Sequence, residues 1–411
     1  MKILLINHYA GSEYHGMEYR PFYLAREWVK SGHDVKIVSA SFSHLRNNNP
    51  TIEIGDYKDQ IFSGINFRWF LVPIYKGNGL KRILNIFTFL YRLFKHGKDL
   101  AEEFQPDVVI ASSTYPMDIW PAHRIAKLAG AKLVFEIHDL WPLSPIELGG
   151  YSKKHPYIIL VQAAENFAYR KSNSVVSILP KVQGHVSKKG FDIKKLHIIP
   201  NGIVPEDFKI ENQYNKDVSD IEKKILQLKE SGYFIVGYAG SHGLPNNLST
   251  LLKAAQIIKN KKLAFILIGS GTEKDNLIKM KEHFALKNVY FYNYINKCFI
   301  PRVFNSFDIG YIGWRKQPLY RFGISPNKLM DYMMAELPIL HSVEAGNDPV
   351  AEANCGISVA AEDPNAIASG VIKFYKMSDK ERKTLGKNGK NFVMANRTYR
   401  ILAKNFINAL I

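Results

Sequence analysis

The chain has 411 residues, of which 46% are hydrophobic and 22% charged, and its formal net charge is +18. This length predicts two domains, and the composition excludes a disordered chain. The two cysteines exclude a disulfide framework and favour a reduced, cytoplasmic compartment. No run reaches the roughly 18 apolar residues of a membrane span. The apolar start of the chain ends at Asn7-His8, too early for a signal peptide.

The first 200 residues predict a parallel α/β sheet. A strand at 2–8, a loop between Gly11 and Gly16, a helix at 19–30 and a strand at 34–40 form its first unit. The loop lacks the full dinucleotide fingerprint, so no cofactor is predicted there. Further strands are predicted at 66–72, 107–112, 132–138, 174–179 and 196–200, with helices near 80–103, 117–129, 157–171 and 181–188.

The segment from Ile61 to Lys98 contains no acidic residue. Its helix mixes aromatic and aliphatic residues with basic ones, as helices at the interface of an anionic bilayer do. The alternative is a core helix with a solvated basic edge, and both hold if one face packs while the other binds lipid. No nucleic-acid-binding motif accompanies the charge, so an anionic membrane surface is the predicted partner and nucleic acid is not. The basic residues are Arg68, Lys76, Lys81, Arg82, Arg92, Lys95 and Lys98.

Ionisable residues follow a buried strand in the stretch from Phe135 to Pro142. Ligands of open α/β sheets bind at the carboxyl ends of strands, where an imidazole can donate to a sugar hydroxyl or to a developing negative charge. His138 is therefore a candidate catalytic residue. The alternative, which the residues by themselves favour, is a structural histidine that is satisfied by Asp139 or the backbone.

The strand–helix pattern restarts after a polar stretch at 209–231, where we expect the linker. Two successive doubly wound units predict two Rossmann-like domains that face one another. In the second, strands are predicted at 234–239, 263–268, 289–294, 308–313 and 338–343, and helices at 219–230, 247–259, 273–284, 300–306, 327–337, 378–390 and 397–410.

Two glycine-containing loops follow strands of the second half. The loop Gly240-Ser241-His242-Gly243 opens a helix, and its backbone N–H groups are expected to reach a phosphate. The loop Gly269-Ser270-Gly271 follows the next strand, but without a third glycine it is a weak signal by itself.

The stretch 319–338 predicts a strand end, a tight loop and a helix that begins near Asn327. Ser325 or Asn327 can cap this helix, and its first-turn N–H groups attract anions. Lys328 adds a cation, and Asp331, one turn further on, suits the two hydroxyls of a ribose. These residues predict a nucleoside diphosphate pocket. The alternative is an ordinary capped helix with a solvated Lys and Asp.

The same stretch resembles the donor-binding signature of the family-4 retaining glycosyltransferases of the GT-B fold. That signature is Glu, seven residues and Glu, followed by a run like Ala-Met-Ala-x-Gly-x-Pro. Asp331 stands at the second acidic position and 332–338 at the run, whereas Gly323 replaces the first glutamate. Within the family, the chain resembles bacterial transferases that build O-antigen and capsule units, including N-acetylfucosamine transferases. Near the start of the chain, residues 7–9 (Asn-His-Tyr) and 16–21 (Gly-Met-Glu-Tyr-Arg-Pro) are typical of these O-antigen and capsule transferases.

The resemblance implies an α/β GT-B fold with two facing Rossmann-like domains, parallel sheets and a C-terminal helix that crosses back to the first domain. Together with the strand–helix pattern, it predicts an acceptor domain at 1–205 and a nucleotide-sugar domain at 206–390. The returning helix is expected at 391–411.

Site residues follow from the same resemblance. It implies a catalytic role for His138, with Asp139 as its orienter or as an acceptor contact, and places Lys328 on the leaving diphosphate. Gly16 and Glu18 are expected on the acceptor side. The expected donor-binding residues are Gly240, Ser241, His242, Gly269, Gly271, Tyr294, Ile295, Gly323, Ile324, Ser325, Asn327 and Asp331.

The implied activity is transfer of a sugar, with retention, from a uridine-linked donor to a lipid-linked saccharide at the inner face of the cell membrane. No Asp-x-Asp pair or His/Cys ligand spacing indicates a metal. Gly323 leaves room where the family holds sugar hydroxyls, so a 6-deoxy or N-acetylated donor such as N-acetylfucosamine is expected. A nucleotide-sugar epimerase of the same fold and a non-catalytic membrane-bound scaffold are the alternatives.

Overall fold

The computed structural model describes residues 1–16, 19–77, 79–208, 213–259 and 261–410. The chain forms two compact units. The chain passes from the first unit to the second after Asn201, whereas the sequence predicts the domain boundary between residues 205 and 206. The first unit contains Met1–Asn201, Phe322–Ser325 and Tyr399–Ile411, and the second contains Gly202–Arg321 and Pro326–Thr398.

The first unit is built on one eight-stranded sheet. Its strands are β1 (Lys2–Ile6), β2 (Asp34–Ala40), β3 (Tyr57–Phe62), β4 (Ile65–Phe70), β5 (Val108–Ala111), β6 (Lys132–Ile137), β7 (Ser174–Ser177) and β8 (Leu196–Ile198). Its helices up to Asn201 are α1 (Tyr19–Lys30), α2 (Leu80–Lys95), α3 (Gly97–Phe104), α4 (Ile119–Ala129), α5 (Leu143–Glu147), α6 (Pro156–Lys171) and α7 (Gln183–Lys188). The strand order is β3-β4-β2-β1-β5-β6-β7-β8.

The central strands are continuous apolar runs because helices cover both faces of a parallel sheet. Every residue of β5 is buried, as are all residues of β1 after the first. The predicted helix near 80–103 is two helices, α2 and α3, which meet at His96.

One edge of this sheet departs from the expected parallel pattern. β3 pairs antiparallel with β4, and only Ser63 and Gly64 connect them. Both residues have positive φ, 52° and 76°, as the two-residue turns of β-hairpins require. The Ser63-Gly64 pair is typical of a hairpin turn, but β3 is mostly polar, and the hairpin was not predicted from the sequence.

The strand order reverses between β1 and β5, and this reversal marks where open α/β sheets bind ligands. Asn7 and His8 follow β1, and Ser112 and Ser113 follow β5; all four are buried. His138 follows β6, the next strand along. The topology therefore gathers polar residues at one end of the sheet.

The second unit has a six-stranded sheet in the order β11-β10-β9-β12-β13-β14, whose paired strands are all parallel. The strands are β9 (Phe234–Ala239), β10 (Leu263–Ile268), β11 (Val289–Tyr292), β12 (Ile309–Gly313), β13 (Ile339–Ser342) and β14 (Gly356–Ser358). The helices are α8 (Lys216–Glu230), α9 (Leu248–Ile257), α10 (Lys274–His283), α11 (Ile300–Phe304), α12 (Asn327–Met334), α13 (Pro349–Glu352), α14 (Pro364–Lys376) and α15 (Asp379–Asn396). Here the order reverses between β9 and β12.

The last helix, α16 (Tyr399–Asn408), returns to the first unit and packs on α1. The Trp28 indole N–H donates to the Ala403 carbonyl at 3.1 Å, and the Trp28 ring lies 5.2 Å from that of Phe406. This confirms the predicted fold class with its returning helix, although the predicted break at 390/391 falls inside α15. Among the described residues, no helix is long and apolar enough to cross a membrane.

Candidate functional site

His138 lies just after β6, where a buried network holds its ring. Its Nε2 atom is 2.9 Å from the Ser112 hydroxyl oxygen and 3.2 Å from a carboxylate oxygen of Glu136. Glu136 and His138 are two residues apart, so they project from the same side of the strand. Ser112 follows the neighbouring strand β5. The network therefore joins two strand ends.

Glu136 is a charged carboxylate inside this network. Burial by itself would raise its pKa, but the Arg20 guanidinium and the His138 ring hold that pKa well below the usual range. The Nε atom of Arg20 donates to Glu136 at 2.9 Å. The two remaining nitrogens of Arg20 donate to the carbonyls of Ile199 and Pro200, each at 2.8 Å. The buried charge is thus paired, as burial requires.

The hydrogen bonds favour one tautomer of His138. The Ser112 hydroxyl donates its only hydrogen to Glu136 at 2.6 Å, so towards His138 it accepts. The ring proton therefore belongs on Nε2, and Nδ1 is the basic nitrogen. A histidine fixed in this way can accept a hydrogen bond or a proton at Nδ1.

The expectation that Asp139 orients His138 is wrong. The Asp139 carboxylate accepts from the Leu140 amide at 2.9 Å and from the Ser144 hydroxyl at 2.6 Å, towards α5. Glu136 has the orienting position, because neighbouring residues on a strand point to opposite sides and residues two apart to the same side. A role for Asp139 in contacting the acceptor stays a prediction.

The two acceptor-side candidates have different outcomes. Glu18 lies outside the described residues. Gly16, in the loop after β1, has φ +77°, and a Cβ there would meet the Asn47 amide nitrogen at 3.2 Å. Glycine suits this backbone and this approach, and its acceptor-side role stays a prediction.

Sequence reasoning missed Arg20, Ser112 and Glu136 as site residues. Glu136 carried a usable signal, since it is an acidic residue in an apolar run two positions before His138. Ser112 carried none, because its partner lies 24 residues away in the sequence. Arg20 carried only its place in the stretch 16–21, because its partner lies 116 residues away.

In the second unit, Lys328 lies against the loop after β9. Its Nζ atom donates to the Tyr238 hydroxyl at 2.8 Å, lies 4.1 Å from that ring's centroid and is 3.4 Å from the side-chain oxygen of Asn246. A Cβ on Gly240 would lie 2.5 Å from Nζ, so only glycine admits this position. Burial lowers the pKa of Lys328 to about 7, against the opposing effect of Asp331. The amine is thus poised to bind a proton when an anion arrives.

The two glycine loops pack backbone against backbone. A Cβ on Gly269 would lie 1.9 Å from the Gly240 carbonyl oxygen, and one on Gly271 would lie 2.6 Å from the His242 backbone. The amides of Gly240 and His242 donate to carbonyls at and after the end of β10. This corrects the expectation for the loop's N–H groups, since these two are used between the loops. In the described part of the chain, no protein group accepts a hydrogen bond from the Ser241 amide, so this amide is able to donate to a bound anion.

His242 is fully buried, and neither ring nitrogen makes a well-formed hydrogen bond within the described residues. Burial, together with the charges of Lys274 and Lys328, lowers its pKa to about 4. Its ring packs against those of Tyr238 and Phe291. The ring is therefore neutral at pH 7, so the positive charge near the loop comes from the two lysines.

Lys274, the first residue of α10, is a cation that sequence reasoning missed. Its Nζ atom donates to the carbonyls of Gly269 and Tyr292 at 3.1 and 2.9 Å and to the Asn293 side chain at 2.8 Å. It ties the ends of β10 and β11 together. It could have been predicted from the sequence, because it lies at the start of the helix that follows the second glycine loop.

The helix α12 begins at Asn327 behind Pro326, without a side-chain cap. The expected cap by Ser325 or Asn327 is wrong, because the Ser325 hydroxyl accepts instead from the Asn201 amide at 2.7 Å. The first-turn N–H groups of α12 are therefore not used by a cap, and the helix dipole favours an anion there.

Asp331 lies one turn into α12, on the side of Lys328. Burial raises the pKa of Asp331, and the charges of Lys297 and Lys328 oppose that rise. Within the described residues its carboxylate accepts no hydrogen bond from a protein group. Because its carboxylate has no protein donor, Asp331 is suited to accept hydrogen bonds from the two vicinal hydroxyls of a ribose.

Replacing Asp331 tests this role. We expect Asp331→Ala to weaken UDP binding about 10- to 100-fold, since a hydrogen bond to a charged group contributes about 1.5–3 kcal/mol. Asp331→Asn should weaken it less, because an amide oxygen still accepts. Calorimetric titration with UDP measures both, with Asp275→Ala on the exposed start of α10 as a control. Equal affinities in all three variants would remove Asp331 from the site.

The remaining donor-side candidates are divided between the units. Gly323, Ile324 and Ser325 belong to the first unit, and Gly323 has φ +89°. Tyr294 and Ile295 follow β11 in the second; the Tyr294 side chain is 64% exposed and Ile295 is buried. Backbone contact of these two residues with a base stays a prediction.

A cavity of about 650 Å³ lies at the amino ends of β9, β12 and β13 and contains none of the predicted site residues. Its acidic and basic residues largely pair with each other, as Lys229 does with Asp308 and Lys390 with Glu336. Among the described residues, no group of three or more His, Cys, Asp or Glu is placed to hold a metal ion.

Comparison with known protein families finds a match in each half of the chain. The model of the family described as Glycosyltransferase Family 4 matches residues 14–207, and the model described as Glycosyl transferases group 1 matches residues 219–392. Together they span most of the chain, one in each predicted domain.

Two curated relatives are similar at low identity. The putative colanic acid biosynthesis glycosyl transferase WcaI of Escherichia coli (strain K12) is 24% identical over 65% of each chain, slightly under two thirds of its length. The probable glycosyltransferase WbjE of Pseudomonas aeruginosa is 22% identical over 71% of this chain and 70% of its own.

Among solved structures, Anabaena HepE in complex with UDP and glucose is similar over 100% of this chain and 99% of its own, with a TM-score of 0.67 and 15% identity. This likeness confirms the GT-B type of fold, because the alignment runs through both units. From the two family models, which together match most of the chain, we conclude that the chain belongs to the family-4 glycosyltransferases.

Proposed function

We propose that this chain transfers a sugar from a UDP-linked donor to a lipid-linked saccharide, with retention, in the synthesis of a surface polysaccharide. The observation that carries the donor half is Lys328, whose amine donates to Tyr238 beside two glycine loops and an uncapped helix start. A lysine that can gain a proton and first-turn N–H groups that are not used by a cap can together stabilise the negative charge of a leaving diphosphate. The structure of HepE with UDP and glucose supports uridine as the base.

His138 supports the transfer step. Its Nδ1 atom is the basic nitrogen, so it can accept a hydrogen bond from an incoming hydroxyl or, once protonated, donate to developing negative charge. In the proposed reaction the bond from sugar to diphosphate breaks as the new bond forms on the same face. The hydroxyl's proton passes to the leaving phosphate, whose charge Lys328 and the first-turn amides of α12 stabilise.

The donor sugar and acceptor are finer parts of the proposal. Gly323 leaves room at the position of the missing glutamate, which favours an N-acetylated 6-deoxy sugar such as N-acetylfucosamine. WcaI, described as a putative colanic acid biosynthesis glycosyl transferase, supports a role in the synthesis of a surface polysaccharide.

A donor panel tests the function. We would incubate the protein with radiolabelled UDP-sugars, including UDP-glucose and UDP-N-acetylfucosamine, with and without a polyprenyl diphosphate-linked saccharide. Label should enter the lipid fraction only with acceptor present, and fastest from the N-acetylated 6-deoxy donor. Interconversion of the donor alone would point to an epimerase, and no reaction with any donor would refute a transferase. Equal turnover of UDP-glucose would refute only the sugar preference.

We also propose that the outer face of α2 binds an anionic membrane. The inner face of α2 packs on the first unit's core, through Ile86, Phe89 and Leu93 among others. The outer face carries large apolar residues at helical spacing: Leu80, Leu84, Phe87, Tyr91 and Phe94, between 36% and 83% exposed. Such an amphipathic helix suits the interface of a bilayer.

The basic residues around α2 are not equivalent. Arg92 and Lys95 both pair with Asp56, so they are partly neutralised. Lys81, three residues before Leu84 on α2, and Lys76, four residues before the helix begins, are both exposed. They are therefore the better candidates for contact with anionic headgroups.

We expect Lys76→Gln/Lys81→Gln to weaken binding to phosphatidylglycerol vesicles by about 30-fold, at about 1 kcal/mol per basic side chain near the surface. Leu84→Ser/Tyr91→Ser should weaken it further through loss of buried apolar area. Lys380→Gln/Lys387→Gln on α15 removes the same charge from the second unit and serves as the control. If co-sedimentation is unchanged in both α2 variants, the outer face does not bind lipid.

A further inference from the structure

Arg82, near the start of α2, lies among tyrosine side chains of the first unit. Its Nη2 atom donates to the Tyr9 hydroxyl at 3.2 Å, and its guanidinium carbon lies 5.8 Å from the centroid of that ring. Burial lowers the pKa of this guanidinium, but the hydroxyls of Tyr9, Tyr75 and Tyr157 raise it by more. Because phenol hydroxyls are neutral at pH 7, these neighbours leave the positive charge in place. Arg82 is only partly buried, so a ligand is able to reach its side chain.

Tyr157, at the start of α6, connects Arg82 with the loop that follows His138. Its ring packs edge to face against that of Trp141, with the centroids 6.4 Å apart, and Trp141 lies three residues after His138. Burial, together with neighbouring tyrosines, raises the pKa of Tyr157 to about 12, so its hydroxyl keeps its hydrogen at pH 7. Within the described residues this hydroxyl makes no hydrogen bond, and it is therefore able to donate to a ligand.

The loop after β1 connects Arg82 with His138 by a second route. Asn7, two residues before Tyr9, donates from its side chain to the Ser112 carbonyl at 2.6 Å and accepts from the Tyr9 amide at 2.9 Å. The Ser112 hydroxyl in turn lies 2.9 Å from His138. Arg82 and His138 therefore lie at the same end of the same sheet, joined by short contacts within the first unit.

The start of α2 is also the part of the proposed membrane helix that reaches this end of the sheet. The side-chain oxygen of Asn85 lies 2.8 Å from the Nε2 atom of His8, which follows β1. At about 100° per residue, Arg82 is on the opposite side of α2 from Leu80 and Leu84, which belong to the outer face. It therefore lies one helix diameter, about 10 Å, from the surface proposed to bind lipid. A group that protrudes from the bilayer by that distance reaches Arg82.

We propose that Arg82 and the Tyr157 hydroxyl bind the phosphate that links lipid to saccharide in the acceptor. In such a molecule the phosphate stands between the lipid chain and the sugar, and Arg82 stands between the outer face of α2 and His138. A guanidinium donates two parallel hydrogen bonds to phosphate oxygens, and the phenol hydroxyl adds another. This inference deepens the proposed function and rests on it, since it names the acceptor group that the same site recognises.

A pair of acceptors in neutral detergent micelles tests this assignment. One carries the saccharide on a polyprenyl diphosphate, and the other carries the same saccharide on an uncharged alkyl chain. Arg82→Gln is expected to raise KM for the first about tenfold or more, the loss of one charged hydrogen bond, and to leave KM for the second and kcat for both within about twofold. Arg82→Lys should recover part of the loss, and Tyr157→Phe should raise KM for the first about threefold. Arg170→Gln, which removes an exposed arginine from the far end of α6, is the matched control.

Binding of farnesyl diphosphate, with saturating UDP present to fill the donor site, gives a readout that needs no transfer. Arg82→Gln should weaken it about tenfold, while its binding to phosphatidylglycerol vesicles stays that of the unmodified protein. No binding by the unmodified protein, or equal affinity in Arg82→Gln, would overturn the assignment. An equal loss with both acceptors would make Arg82 a structural residue, and a loss of vesicle binding alone would make it a headgroup contact. If farnesyl diphosphate binding depends on Arg82 but no sugar is transferred, the proposed function fails and this inference holds.

Discussion

Replacing Lys328 by methionine is expected to lower kcat/KM for sugar transfer by about 100- to 1,000-fold, the usual cost of removing one group that stabilises charge in a transition state. Methionine keeps the length and the apolar stem of lysine but removes the charge that faces the diphosphate. The fold should remain intact, since the substitution removes a buried amine whose pKa is already lowered. Lys316→Met, which removes an exposed lysine paired with Glu344, is the matched control.

The lowered pKa of Lys328 adds a pH signature to the same experiment. At pH 7 the free protein carries Lys328 about half protonated, and a bound diphosphate raises its pKa. The protonated form binds the anion, so UDP affinity should fall as pH rises from 7 to 9, by roughly tenfold or more. Titrations in buffers of different ionisation enthalpy should show proton uptake on binding at pH 8.5.

Lys328→Met should lose both the pH dependence and the proton uptake. If UDP affinity of the unmodified protein is flat between pH 7 and 9, or if Lys328→Met keeps the same dependence, Lys328 is not the group that meets the diphosphate. A loss of affinity in Lys316→Met of similar size would show that the effect is a general one of charge.

Replacing His138 by alanine is expected to lower kcat by about 100- to 10,000-fold, as loss of a positioned acid–base group does. The affinity for UDP should stay within about twofold, because the contacts of Lys328 with Tyr238 and Asn246 do not involve His138. His123→Ala, which removes a partly exposed histidine of α4 in the same unit, should leave kcat unchanged.

Ser112→Ala separates positioning from chemistry at this site. It removes the hydroxyl that lies between Glu136 and His138 but leaves both charged partners of the buried pair, Arg20 and Glu136, in place. We expect kcat to fall about tenfold, the value of one hydrogen bond, with a shift in its pH profile because the tautomer is less strongly fixed. Full activity in His138→Ala would leave His138 a structural residue, the alternative that the sequence by itself favoured.

Most strands and helices could be predicted from the sequence, because apolar periodicity is local and a parallel sheet needs continuous apolar runs. The exceptions include β3, which was missed, and α2 and α3, which were predicted as one helix. The sequence also placed Lys328 and Asp331 three residues apart on one helix, so that they share a side of it. The glycine loops after β9 and β10 were found for the same reason, since the loop and its strand are adjacent in the chain.

The partners of these residues depend on how the chain folds. Which group orients His138, where Ser325 points and how far the pKa of Lys328 falls all depend on contacts between residues far apart in sequence. The Phe322–Ser325 segment shows this most clearly, because its sequence lies inside the second domain while its packing belongs to the first. Burial and charge pairing exist only once the chain has folded, so no local pattern could assign them.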